Sequence, residues 1–168
     1  MSEIGGITGD RCHIAGKSDR FEEYLDCAVD EVFRTMMGIA CTPADSCPGR
    51  ERDNLLAVIG LAGAMSGSMV LHSGGRAAMR MAEHLTGTAP EGIDAVVRDA
   101  LGEICNMLAG AWKGFDAVLC AGCLLSTPTV VAGISCELFS DRAPIRIERC
   151  YRFEAMTFTV TLFCEPCS

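Results

Sequence analysis

An acid, a second acid and an amide follow one another in the stretch DALGEICNMLAG, residues 99–110. Asp99, Glu103 and Asn106 are spaced so that an α-helix would point them in the same direction. The set holds no strong nucleophile and no metal-ligand cluster. A carboxylate can grip a cation and an amide can orient a water molecule, which suits hydrolysis of an activated phosphoryl group whose own site holds the metal. An ordinary solvated helix face is the alternative interpretation.

The surrounding sequence predicts a helix from about Glu91 to about Phe115. At about 100° per residue its apolar residues, Val96 among them, form one broad face. The opposite side carries what we name the polar stripe, flanked by Gly102 and made of Asp99, Glu103, Asn106, Gly110 and Lys113. A glycine inside a helix costs about 1 kcal/mol relative to alanine. We therefore interpret both glycines as keeping the surface low for an approaching partner, with helix packing as the alternative.

Other patterns predict the elements that position this helix. Residues 1–18 are rich in glycine and polar residues without a period, which favours a flexible N-terminal arm. A helix is expected from Ser18 or Asp19 to Gly38, followed by a loop over 41–54. Two strands, 55–62 and 67–72, form a predicted hairpin, and a second helix runs from about 74 to 85.

Strands are also expected near 123–125 and over 129–138, 144–152 and 155–163. The segment TFTVTLF, 157–163, alternates polar and apolar residues as a sheet with one solvated face does. Helices and antiparallel hairpins in this order predict a single α+β domain over residues 19–168. Its three main helices are expected on one face of a mostly antiparallel sheet.

Charge and hydropathy exclude several classes of partner. The net charge of −8 disfavours nucleic acid and anionic membrane surfaces. The longest apolar run, 55–65, is too short to span a bilayer, and the N-terminus lacks a basic-then-apolar signal pattern. We therefore expect no membrane and no nucleic-acid partner, and a cytoplasmic location.

The 11 cysteines lie largely inside apolar runs, so reduced, buried thiols are expected. Two Cys-x-x-Cys pairs, Cys120/Cys123 and Cys164/Cys167, leave a zinc or redox role as the alternative, because four thiolates can bind zinc tetrahedrally. Neither pair has the turn context of a zinc ribbon or knuckle.

Three segments together resemble the CheC/CheX/FliY family of bacterial chemotaxis phosphatases. They are the run D-x-x-x-E-x-x-N followed by MLAG, the segment LLAVIGLAGAMSGSMVLH and the segment STPTVVAG at 126–133. The likeness is greatest to CheX and extends over nearly the whole chain from about Tyr24. It implies a CheX/CheC-like fold and a protein phosphatase that hydrolyses the aspartyl phosphate of a CheY-type response-regulator receiver in two-component signalling.

The resemblance also implies roles for single residues. Asn106 would orient the attacking water, Glu103 would dock to a lysine of the receiver, and Asp99 would support the helix or the receiver contact. The Mg²⁺ belongs to the receiver, so the chain is expected to need no metal or cofactor of its own. The first helix lacks a Glu-x-x-Asn motif, which implies one active site per chain, as in CheX.

CheX-like proteins form dimers through their sheets, so a homodimer is expected, and dimerisation would cover the edges of the C-terminal strands. A non-catalytic receiver-binding or assembly module of the same fold is the alternative function.

Overall fold

The computed structural model describes residues 9–47, 53–133 and 143–166. Within these residues the elements are α1 (Gly9–Met36), β1 (Cys41–Ala44), β2 (Asn54–Gly63), β3 (Met65–Gly74), α2 (Gly75–Thr86), α3 (Ala95–Gly114), α4 (Ala117–Gly122), β4 (Cys123–Leu125), β5 (Thr129–Gly133), β6 (Ile145–Phe153) and β7 (Met156–Pro166).

The strands form one antiparallel sheet in the order β1-β6-β7-β3-β2-β4, and β5 also pairs with β2. Two short strands pair with different parts of β2. Residues Asn54–Val58 pair with β5, and residues Leu61–Gly63 pair with β4. At the division, the Gly60 amide donates to Ser126 Oγ at 2.8 Å, and the Ser126 amide donates to the Gly60 carbonyl at 2.9 Å. This edge of the sheet is therefore split between two short strands.

The helices cover one face of the sheet. Alternate residues of β2, Leu55, Ala57 and Ile59, are fully buried in the same core as the apolar faces of α1, α2 and α3. Leu56 points to the opposite face and joins a smaller cluster with Val70 and Phe163. Full burial of each large side chain contributes about 1.5–3 kcal/mol, so the helix-covered face is the main source of stability. The predicted α+β class is confirmed.

Trp112 fixes α3 against α1. Its side chain is fully buried, its indole N–H donates to the carbonyl of Phe21 at 3.2 Å, and its ring meets the Phe21 ring edge-on at 5.4 Å. The bond satisfies a donor that would otherwise be buried without a partner. The orientation of α3 about its own axis is therefore held by a specific contact.

Several predicted boundaries differ from the structure. α1 begins at Gly9 rather than near Ser18, because a nucleated helix extends at little cost per residue. The flexibility of the arm stays a prediction, and residues 1–8 lie outside the described residues. β1 lies inside the predicted loop 41–54, and α4 was not expected. β5 ends at Gly133, and the rest of the predicted strand 129–138 falls on residues the structure does not describe.

The expectation of reduced thiols is wrong for one pair. Cys47, just after β1, and Cys150, in β6, form a disulfide with a Cα–Cα distance of 5.6 Å. The pairing of β1 with β6 brings these two residues together although they are 103 positions apart. Among the cysteines whose side chains the structure describes, six others are not part of a disulfide. No helix in the described ranges is both long and apolar enough to cross a bilayer.

Candidate functional site

The start of α3 is set by Asp94, whose carboxylate accepts a hydrogen bond from the Val97 amide at 3.0 Å. An N-cap of this kind satisfies one of the free amides of the first turn. The helix therefore begins at Ala95, a few residues later than predicted. Its inner face is buried against the sheet, α1 and α2 through residues that include Val97, Leu101, Ile104, Leu108 and Trp112.

The polar stripe lies on the outer side of α3. Asp99 and Glu103 are exposed, and Asn106 is half-buried. None of these three side chains forms a hydrogen bond or ion pair with any residue of the described ranges. Asp99 and Asn106 are separated by a rise of about 10 Å along the helix axis. The stripe thus presents two carboxylates and one amide whose hydrogen-bonding capacity is available to a partner.

Gly110 continues the stripe beyond Asn106. In the part of the chain that the structure describes, no atom outside α3 would lie within 4 Å of a Cβ added there. The surface is consequently low and open one turn after the amide. This agrees with the interpretation that something else can approach closely, and contact with a partner stays a prediction.

Gly102 differs from Gly110. It is buried, and a Cβ there would lie 3.4 Å from Cγ2 of Val130 and 3.5 Å from two carbon atoms of Pro128. Packing within the chain therefore explains Gly102 better than a surface kept low for a partner, because strand β5 and the turn before it occupy the space beside this glycine. Pro128 therefore lies over α3 at Gly102, the residue next to Glu103 in sequence.

The turn at Ser126–Pro128 contacts α3 through Pro128, at Gly102. Ser126 fixes it through the two hydrogen bonds to Gly60 and a third from its hydroxyl to the Thr127 carbonyl at 2.9 Å. Sequence reasoning noted the segment TPTVV but gave it no role in the site. Val130 and Gly102 lie together although they are 28 positions apart in the sequence, and no local pattern reveals a contact of that kind.

Lys113, at the far end of the stripe, is used inside the chain. Its ammonium group donates to the Cys123 carbonyl at 2.7 Å and lies 3.5 Å from the Cys120 carbonyl. It therefore neutralises the carbonyl end of α4 and holds the junction with β4. Its predicted contact with a partner stays a prediction.

Val96 was assigned to the apolar face, but the structure leaves it 51% exposed. It precedes Asp99 by three residues and so lies at the N-terminal end of the polar stripe. It was missed because a helical wheel assigns apolar residues to the core, whereas the first turn of α3 leaves the Val96 side chain exposed. Val96 adds an apolar contact to an otherwise polar surface.

The cysteine pairs do not gather into a metal site among the described residues. No three His, Cys, Asp or Glu side chains there are placed to hold a metal ion. Cys123 and Cys164 are buried, and burial, followed by the neighbouring Cys123, raises the pKa of the Cys164 thiol to about 12. Cys120 is exposed, and Cys167 lies outside the described residues.

Fold and site together describe an α+β domain that presents an acid–acid–amide stripe on an exposed helix. At the level of sequence families, residues 55–147 match the chemotaxis phosphatase CheX family. The chain belongs to that family. Among curated proteins, none matches the sequence significantly.

Solved structures show the same fold. Chemotaxis protein CheX from Vibrio vulnificus is 23% identical with a TM-score of 0.75, and the alignment covers 88% of this chain and 98% of that one. CheX from Desulfovibrio desulfuricans is 22% identical with a TM-score of 0.73, over 87% and 99% of the two chains. A CheX–CheY–BeF3–Mg²⁺ complex from Borrelia burgdorferi contains a chain 18% identical with a TM-score of 0.64, over 86% and 97%.

Proposed function

We propose that this chain is a phosphatase that hydrolyses the aspartyl phosphate of a CheY-type receiver domain. The observation that carries the proposal is the exposed polar stripe, in which Glu103 and Asn106 have no partner among the described residues. Membership of the CheX family supports the reaction class. The relative from Borrelia burgdorferi, which forms a complex with CheY, supports a CheY-like partner.

In this proposal Asn106 is the catalytic residue. An acyl phosphate is already activated, so the main task is to hold a water molecule in line with the phosphorus–oxygen bond that breaks. The amide can accept from that water through its oxygen and donate through its nitrogen. Half-burial of Asn106 restricts the rotamers available to the side chain, which favours a defined position for the water.

Glu103 is proposed to dock the stripe by pairing with a lysine of the receiver. It is exposed and lies one turn before Asn106, so the docked carboxylate would set the height of the amide over the phosphoryl group. Asp99 places a second negative charge one turn earlier and strengthens attraction to the same cation. The receiver supplies the Mg²⁺ in this scheme, and this chain needs no metal or cofactor of its own. The homodimer joined through the sheet remains part of the proposal.

The proposal is tested by following the loss of phosphate from a phosphorylated receiver and, separately, by measuring receiver binding. We expect Asn106→Ala to lower the maximal rate about 100-fold or more with little change in Kd, as for other lost transition-state contacts. Asn106→Asp keeps the size of the side chain but should also be inactive, because it loses the N–H donor and adds a negative charge beside the phosphoryl oxygens.

Glu103→Ala should weaken binding about tenfold, as expected for a lost hydrogen bond to a charged group. Glu31→Ala, which removes another exposed helical acid outside the stripe, is the matched control and should change neither quantity. An unchanged rate in Asn106→Ala would show that the assignment of Asn106 is wrong. If the unmodified protein binds the receiver but leaves the phosphate lifetime unaltered, the chain is a binding module.

A further inference from the structure

The disulfide between Cys47 and Cys150 lies at the edge of the sheet, at some distance in the fold from α3. In the β1–β6 ladder Ala44 is the residue opposite Cys150, and Cys47 follows three residues later. The bond therefore ties the chain just beyond β1 back onto β6. Because β1 has four residues, its ladder with β6 contributes few hydrogen bonds, so the covalent link adds to the burial of Cys41 in holding this edge.

The disulfide borders a surface cleft. Both cysteines are half-buried, and a surface cleft of about 560 Å³ borders them, lined also by Pro43, Asp45, Ser46, Glu148, Arg149 and Thr159. A small dithiol fits a space of this size. By contrast, Cys41, Cys105 and Cys164 are buried, and burial raises the pKa of each thiol to about 12, so these three are poor nucleophiles for exchange with the disulfide.

The two sulfur atoms are not equivalent. The Thr159 hydroxyl donates a hydrogen bond to Cys47 Sγ at 3.2 Å, whereas no comparable donor reaches Cys150 among the described residues. A hydrogen bond to sulfur stabilises the thiolate, so Cys47 is the better leaving group and Cys150 the sulfur that is attacked. Once reduced and protonated, Cys47 can donate to the Phe158 carbonyl, which lies 3.3 Å from its sulfur.

We propose that Cys47 and Cys150 form a reversible dithiol–disulfide couple that locks the β1 edge to β6 when oxidised and releases it when reduced. The co-reactant is a dithiol. One of its thiolates attacks Cys150 Sγ, a mixed disulfide forms, and the Cys47–Cys150 bond breaks with its electron pair going to Cys47, which then takes a proton. The second thiolate of the reductant closes a cyclic disulfide and releases Cys150 as a thiolate. The protein disulfide is reduced by two electrons and the dithiol is oxidised by two.

The test uses the full chain, oxidised with glutathione disulfide and then treated with dithiothreitol without denaturant. After alkylation and digestion, a peptide pair linked through Cys47 and Cys150 should be present in the oxidised sample, disappear on native reduction and return on reoxidation. The reduced protein should melt about 5–15 °C lower, as expected for removal of a disulfide from a domain of this size. Amide exchange should rise over residues 41–47 while α3 keeps its protection.

Variants separate this couple from the other thiols. Cys47→Ser should abolish the difference in Tm between oxidised and reduced samples, whereas Cys27→Ser, which removes an exposed free thiol of α1, should retain it. Thr159→Val should slow native reduction several-fold, because Cys47 becomes a poorer leaving group. Absence of the linked peptide pair, or a link that dithiothreitol opens only after unfolding, overturns the proposal. Neither result depends on whether the chain dephosphorylates a receiver.

Discussion

Replacing Gly110 by alanine adds one methyl group to the polar stripe, at a place where no described atom outside the helix would lie within 4 Å of the new Cβ. The added Cβ costs no packing energy, and alanine is a better helix former than glycine. The free energy of unfolding should therefore rise by about 0.5–1 kcal/mol, and Tm by about 1–4 °C. Urea unfolding followed by circular dichroism measures the first quantity.

The same methyl group should impair the proposed reaction. It protrudes one turn beyond Asn106, where the receiver has to approach closely for the amide to reach the phosphoryl group. A displacement of about 1 Å between reacting groups can cost about 100-fold in rate, so we expect kcat/KM for receiver dephosphorylation to fall about 10- to 100-fold. Gly110→Ala would thus be more stable and less active than the unmodified chain.

Gly16→Ala is the matched control. Gly16 lies inside α1 and is exposed, and a Cβ there would also have no described atom outside the helix within 4 Å. It should show the same gain in stability with unchanged dephosphorylation. If Gly110→Ala is as active as Gly16→Ala, Gly110 does not face the receiver. If Gly110→Ala is less stable than the unmodified protein, the space above Gly110 is not open, and the reasoning from that space is wrong.

Two further substitutions test how α2 and α3 are held. Glu154 accepts hydrogen bonds from Arg80 at 2.8 and 2.9 Å and contacts His84 at 2.9 Å, and Arg80, then His84, lowers the carboxyl pKa from 4.5 to about 2. Because the folded-state pKa of Glu154 is the lower one, this stabilisation is present above pH 4.5 and is lost towards pH 2. Glu154→Gln should therefore lose less stability than the unmodified protein as the pH falls, measured by urea unfolding at about pH 5, 4 and 3. Parallel curves of unfolding free energy against pH for the two proteins would contradict this. Trp112→Phe removes the indole donor to the Phe21 carbonyl and part of a buried ring, and should lower the free energy of unfolding by about 2 kcal/mol. A loss below about 0.5 kcal/mol would mean that this contact does not hold α3.

The sequence was most informative where a long period could be measured. α3 repeats its apolar residues over five turns, and the predicted helix differs from Ala95–Gly114 by a few residues at its start. That start depends on one side-chain bond, from the Val97 amide to Asp94, which periodicity does not detect. β1 and α4 were missed because four and six residues are too few for a period, and because the strand character of β1 comes from pairing with β6.

Contacts between distant parts of the chain could not be predicted from local patterns. Cys47 lies in a segment that reads as a loop and Cys150 in one that reads as a strand, so neither residue indicates its partner. Similarly, the sequence left two interpretations for Gly102 and Gly110. The structure separates them, because β5 and Pro128 lie over the first glycine, whereas no described atom outside the helix lies within 4 Å of a Cβ at the second.

The divided edge of β2 has a consequence for which residues near α3 can be changed without disturbing the sheet. Between β4 and β5, residues 126–128 lie outside the strand ladders and are held by hydrogen bonds of Ser126 to Gly60. Substitutions of Thr127 or Pro128, or insertions beside them, can therefore be made without altering the register of any strand. If the proposed function holds, such changes would alter the surface beside Gly102 without changing Asn106, which makes this turn a place to engineer discrimination among receivers.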